Sequence, residues 1–394
     1  MSHSTAPMDA IRGPVRRVIH DLQPSKIREV AHAGMGDPDV IPLWFGEPDQ
    51  PTPAFINEAA TRAMAEGHTF YTPNRGVPAL IQAIARYMTG LYDRPIDEDR
   101  IIVTSAGMNG IMMVSEAIVD PGDNVVVLGP IWPNVFRTVE IMGGETRLVI
   151  LDLEDGRWSL DLDRLFDACD DRTRALYINT PNNPTGWMMS AEEQRAVLEF
   201  ARKRGIWVVA DEVYARMVYD RPHAPSFIEI ADPEDLVIVV NSFSKSWLMT
   251  GWRLGWLTGP ASVMDVFEKL NEYNVAAPAS MVQYGGIAAI TEGEPLVAAT
   301  VERYGRARDV VIQRLGAMRR VHLPRPEAAF YAFFSVEGMT DSLAFAKKAL
   351  AETKVGMAPG IAFGPAGEGF LRICYAKSPE SLSKAFDRLE PLLD

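Results

Sequence analysis

The stretch Val237-Ile238-Val239-Val240-Asn241-Ser242-Phe243-Ser244-Lys245 continues as Ser246-Trp247-Leu248-Met249-Thr250-Gly251-Trp252-Arg253-Leu254-Gly255-Trp256. Its first four residues are β-branched, which suits a buried strand. The run then breaks into Asn, Ser and Ser around one lysine. Eight residues later an arginine stands between two tryptophans. Alone, Lys245 reads as a surface loop residue. At the end of a buried strand, beside hydroxyls and an arginine, it also reads as a Schiff-base lysine with a phosphate seat. The rest of the chain decides between the two.

The elements before this stretch alternate. Strands are expected at Ile101–Val103, Asp123–Leu128, Thr146–Leu151, Thr173–Ile178 and Ile206–Ala210. Helices are expected at Ala54–Ala65, Ala79–Met88, from Gly107 through Val119, from Val135, at Leu160–Ala168 and at Ala191–Lys203. Such alternation predicts an α/β fold with a mostly parallel sheet. Ligands of such sheets sit beyond the carboxyl ends of the strands. Trp132, Asn183, Asp211 with Tyr214, Ser242 and Lys245 all fall there. The turn Thr104-Ser105-Ala106-Gly107-Met108-Asn109-Gly110 runs from strand to helix and suits an anion, although it is neither a P-loop nor a dinucleotide fingerprint.

The flanks differ in character. Ile11, Val15, Val18, Ile19, Leu22, Ile27 and Val30 keep helical spacing through residues 8–33, with Ser25 near a capping arrangement. Arg12, Arg16, Arg17 and Arg28 read as a solvated face. Ile41–Phe45 reads as a strand running into the Pro-rich loop Gly46–Pro53. Two helical pieces broken near Ala277-Pro278 are expected in 267–292, and a long helix over 295–319. Strands at Phe330–Ser335 and Phe370–Tyr375 with a helix at Ser342–Glu352 make an α+β tail. The expected division is a large domain at 47–292 and a small one from 1–46 with 293–394.

Composition narrows the partners. The chain has 394 residues, enough for two domains. Its net charge of −13 argues against nucleic-acid or anionic-membrane partners. The N-terminus lacks the pattern of a secretory signal, and no apolar run approaches a membrane span. Cys169 and Cys374 lie far apart and have no metal-ligand spacing. A soluble, cytoplasmic protein with reduced thiols and no metal is the expectation.

Asn183-Pro184-Thr185-Gly186, Asp211-Glu212-Val213-Tyr214, Ser242-Phe243-Ser244-Lys245 with Arg253, and Phe370-Leu371-Arg372 together resemble the class I aminotransferases of pyridoxal-phosphate fold type I. The similarity runs from Gly46-Glu47-Pro48-Asp49 to the C-terminus. It implies pyridoxal 5′-phosphate as cofactor and a ping-pong exchange between an α-amino acid and a 2-oxo acid.

Carried over by position, Lys245 holds the cofactor as a Schiff base and moves the proton. Asp211 pairs with the ring nitrogen. Asn183 and Tyr214 bond the ring's oxygen, and Trp132 stacks on its face. The phosphate takes the N–H groups of Gly107 and Met108, the hydroxyls of Ser242 and Ser244, and Arg253. Arg372 clamps the substrate carboxylate, with Gly46, Trp132 and Asn183 beside it. Tyr71 reaches the phosphate from a partner subunit, so the resemblance implies a homodimer with shared sites. Members acting on dicarboxylates carry a second arginine near residues 271–278; here none stands there. Ala106-Gly107-Met108 replaces a glycine pair or a hydroxyl, and Glu327-Ala328-Ala329 replaces a glycine-containing segment. A lyase or synthase on the same scaffold, such as a cysteine-S-conjugate β-lyase or a cyclopropane-forming enzyme, shares every core motif. A cofactor-binding regulator is disfavoured by the acidic charge and the lack of an added DNA-binding domain.

Overall fold

The computed structural model describes residues 15–394. Its centre is a seven-stranded sheet in the order Ile101–Thr104, Gly255–Thr258, Val237–Ser242, Trp207–Asp211, Thr173–Asn179, Asn124–Gly129, Glu145–Ile150. Gly255–Thr258 is antiparallel to both neighbours, and the other pairings are parallel. The sheet is therefore mixed, as a mostly parallel α/β reading allows. The antiparallel strand itself went unread, because the four residues Gly255–Thr258 carry too little pattern.

The strand sequences explain the burial. Every residue of Asn124–Gly129, Trp207–Asp211 and Val237–Ser242 is buried. Side chains alternate between two apolar clusters. Val126, Leu128, Leu176, Ile178, Val208 and Ala210 join one. Val125, Val127, Ala175, Tyr177, Trp207 and Val209 join the other. Only the edge strand Glu145–Ile150 opens outward, and it carries Glu145, Thr146 and Arg147.

A third cluster gathers around a four-stranded antiparallel sheet, Val321–His322, Tyr331–Val336, Phe370–Cys374, Ala358–Pro359. Ile27, Val30 and Ala31 of helix Lys26–Gly34 pack into it, as do Tyr304, Ala307, Val311 and Leu315 of helix Glu294–Gly316. The N-terminal segment thus folds beside the tail.

Most element expectations hold within two or three residues, and the differences have causes. Pro24 splits the N-terminal helix into Arg17–His20 and Lys26–Gly34; Ile11 and Arg12 lie outside the described residues. Ser25 does cap the second piece, accepting from Arg28 N, without the reciprocal half of a capping box. The strand at Ile41–Phe45 shrinks to Ile41–Pro42, pairing only with Val355–Gly356. The break near Pro278 separates helices Ala261–Val275 and Ser280–Glu292. Further elements went unread. A hairpin, Asp152–Glu154 with Arg157–Ser159, turns on Asp155-Gly156, both at positive φ. Helix Pro379–Leu393, capped by Ser378, buries Leu382, Ala385, Phe386, Leu389 and Leu393 along one stripe.

Candidate active site

The carboxyl ends of the parallel strands meet the small sheet around a cavity of about 230 Å³. Gly107, Met108, Trp132, Asn183, Asp211, Tyr214, Ser242, Ser244, Lys245, Arg253, Arg372 and Gly46 all line it. Twelve residues singled out in the sequence therefore converge from eight separated segments.

Strand Val237–Ser242 delivers Lys245 through the short helix Phe243–Ser246, which Ser242 caps by accepting from Ser244 N. The Lys245 amine donates to Gly46 O at 2.8 Å. Burial, reinforced by Arg253 and Arg372, pushes that amine down to about 8. A sizeable neutral fraction near pH 8 suits a group that must take and return a proton.

Asp211 ends its strand and is 4% exposed. Tyr177 Oη donates to it at 2.9 Å, and Val213 N approaches at 3.4 Å. Burial pushes Asp211 up to about 6. No cation lies within salt-bridge distance among the described residues. Such a carboxylate is unstable as an anion unless something positive faces it.

Arg372 projects from Phe370–Cys374 and is 2% exposed. It donates to Asn183 Oδ1 at 3.1 Å and to the carbonyl of Trp44, while its Nε has no partner. Its guanidinium carbon sits 4.6 Å from the Tyr331 ring centre and 5.1 Å from that of Phe363. Among the described residues it pairs with no carboxylate, and its planar fork has the geometry to take one.

The opposite end of the cavity is a helix start. Helix Gly107–Ile118 has Ala106 at its N-cap, φ 88°, with no side chain satisfying the first N–H groups. Ser242, Ser244 and Arg253 stand around it. Gly255 makes this closeness possible, since a Cβ there would lie 2.7 Å from both Asn241 O and Gly107 N. An uncapped helix start beside hydroxyls and a guanidinium is an anion seat.

Trp132 sits on the cavity wall, with its backbone N–H donating to the Asn183 carbonyl at 3.0 Å. Tyr71 is the exception. It is 93% exposed and lines a different surface hollow with residues 275–281. Two residues around the site went unread. Tyr331 lines the cavity and shares a hydrogen bond with Tyr214 at 2.6 Å. Tyr177 holds Asp211. A hydroxyl-bearing ring inside a buried strand was the available signal for both. Among the described residues no cluster of His, Cys, Asp and Glu forms a metal site.

The family model "Aminotransferase class I and II" matches residues 38–389. The chain is 36% identical to the aspartate aminotransferase of Pyrococcus horikoshii over 378 residues, 95% of each. It is 33% identical to aromatic-amino-acid aminotransferase 2 of Thermococcus litoralis, covering 94% of this chain and 96% of that one. The Thermus thermophilus aspartate aminotransferase solved with maleate superposes with a TM-score of 0.90 at 32% identity, over 97% of this chain and all of that one. The chain belongs to the class I and II aminotransferases.

Proposed function

We propose that this aminotransferase holds pyridoxal 5′-phosphate in the 230 Å³ cavity and alternates between an α-amino acid donor and a 2-oxo acid acceptor. The observation that carries the reading is the arrangement of charge. Asp211, Lys245, Arg253 and Arg372 share one cavity, and among the described residues none makes a salt bridge. Each lacks a partner that this cofactor and an amino acid would bring: a protonated ring nitrogen, an aldehyde, a phosphate and a carboxylate.

When bound, the cofactor supplies an aldehyde for the amine and a cationic ring that draws electrons from the substrate's α-carbon. The chain's own groups do the rest. Lys245 would hold the cofactor through its aldehyde, and its amine, lowered to about 8, would take and return a proton at the substrate's α-carbon. Asp211 keeps a proton on the ring nitrogen. The side-chain amide of Asn183 and the Tyr214 hydroxyl donate to the ring oxygen, and Trp132 covers the ring face. The helix start at Gly107 and Met108, with Ser242, Ser244 and Arg253, seats the phosphate. Arg372 takes the substrate α-carboxylate in a forked pair, with Gly46 backbone closing beside it. Tyr71 serves the phosphate of a second copy, which makes the working unit a homodimer.

We further assign residues 47–292 to a large domain and 1–46 with 293–394 to a small one, supported by the separate apolar clusters. Among the described residues no helix is long and apolar enough to cross a membrane. Cys169 and Cys374 are unpaired, which fits a reducing, cytoplasmic setting.

The test is a half-reaction. Holoenzyme mixed with one amino acid and no acceptor should release one 2-oxo acid per site and stop. Continuous release of ammonia with the oxo acid would instead mark an eliminating enzyme.

A further inference from the structure

Tyr331 touches three parts of the proposed site. Its hydroxyl is 2.6 Å from that of Tyr214. Its ring lies 4.6 Å under the Arg372 guanidinium. A Cβ on Gly46 would collide with its hydroxyl, so the backbone whose carbonyl accepts from Lys245 runs directly against it. Register explains this reach. Tyr331 pairs with Cys374, and Phe333 pairs with Arg372, so Tyr331 is the diagonal cross-strand neighbour of the arginine.

We propose that Tyr331 is a positioning residue that orients both ends of the ligand through Tyr214 and Arg372. The inference rests on the reading above. Of two hydroxyls 2.6 Å apart, one must donate. The far side of the Tyr331 oxygen is closed by the Gly46 α-carbon, and no other acceptor lies within hydrogen-bond distance among the described residues. Its proton therefore goes to the Tyr214 oxygen. That fixes the Tyr214 proton outward into the cavity and makes it a stronger donor there, because hydrogen bonds in a chain polarise one another. The same ring and Phe363 both lie within cation–π reach of the Arg372 guanidinium, and these contacts restrict where it can sit. Burial keeps the Tyr331 phenol protonated, consistent with a donor.

The hydroxyl and the ring are tested separately. Tyr331→Phe removes only the donor. In reconstituted protein the pH midpoint of the bound cofactor's visible absorption should rise by about half a unit, the worth of one net hydrogen bond. A weaker donor to the ring oxygen leaves the neighbouring Lys245-linked nitrogen more basic. In a Tyr214→Phe background the same change should shift the midpoint no further. An unmoved midpoint, or an equal shift in that background, overturns the hydroxyl role. Tyr331→Leu removes the ring. Calorimetric binding of 3-phenylpropionate to protein without added cofactor should weaken about 3- to 10-fold, while Tyr331→Phe retains the affinity. Equal binding by Tyr331→Leu overturns the ring role. Because this arm needs no cofactor, it reads Tyr331 even if no visible band appears, a result that would count against the cofactor assignment alone. Far-ultraviolet circular dichroism confirms that each variant is folded.

Discussion

Asp211 shows at the residue scale how function is held against stability. Its ordinary value of 3.8 rises to about 6 on burial. The folded protein therefore binds that proton more tightly than the unfolded chain does. Between pH 3.8 and about 6 the contribution of Asp211 to stability falls as pH rises, and above 6 the penalty is complete. Its size is on the order of 3 kcal/mol. Cofactor-free Asp211→Asn, which keeps an acceptor for Tyr177, should resist urea better than the parent at pH 7.5, with the gap closing toward pH 4. A less stable variant at pH 7.5 would show that a hidden cation already balances Asp211. Arg372 makes the complementary case. If Arg372 clamps the substrate as proposed, removing it would leave that carboxylate buried and unpaired, so Arg372→Ala should lose about 2–5 kcal/mol in kcat/KM. Steady-state kinetics that leave KM unchanged would remove Arg372 from the substrate site.

At the element scale the proposed phosphate seat, the uncapped start of helix Gly107–Ile118, depends on one close approach. Gly255, in the antiparallel strand, lets Asn241 O and Gly107 N come within reach of the same α-carbon. Both obstacles are backbone and have little room to shift. Gly255→Ala should cost about 1–3 kcal/mol in denaturation and weaken cofactor binding, because it pushes strand and helix start apart. Unchanged values on both counts would mean that the helix start does not need this strand. This strand also marks the limit of legibility. The parallel strands were readable because burial on both faces demands long β-branched runs. Gly255–Thr258 is short, and its role comes from neighbours distant in sequence. Tyr331 went unread for the same reason: its strand was plain, but its diagonal contact with Arg372 is set by tertiary register. Asp155-Gly156 and the apolar stripe of Pro379–Leu393 carried local signals and were legible in principle.

At the scale of the whole molecule, the motifs predicted convergence better than they predicted boundaries. Lys245, Asp211 with Tyr214, Asn183, Arg253 and Arg372 lie on five separate segments, yet one cavity gathers them. Tyr71 alone lies elsewhere, beside Phe70 in the hollow lined by residues 275–281, and both rings are at least 83% exposed. Exposed aromatic side chains of this kind suit an interface. If Tyr71 serves a second copy, two inactive variants should rescue each other. Tyr71→Ala and Lys245→Ala subunits, unfolded and refolded together, form hybrids in which one site is intact. Random pairing should restore roughly a quarter of the parental activity; no recovery would place Tyr71 in its own chain's site or in neither. The most direct test of the whole account is chemical. Protein reconstituted with pyridoxal 5′-phosphate, reduced with borohydride and digested, should carry the pyridoxyl label on Lys245 alone among all its lysines when mapped by mass spectrometry. A label on another lysine, or none, would contradict it.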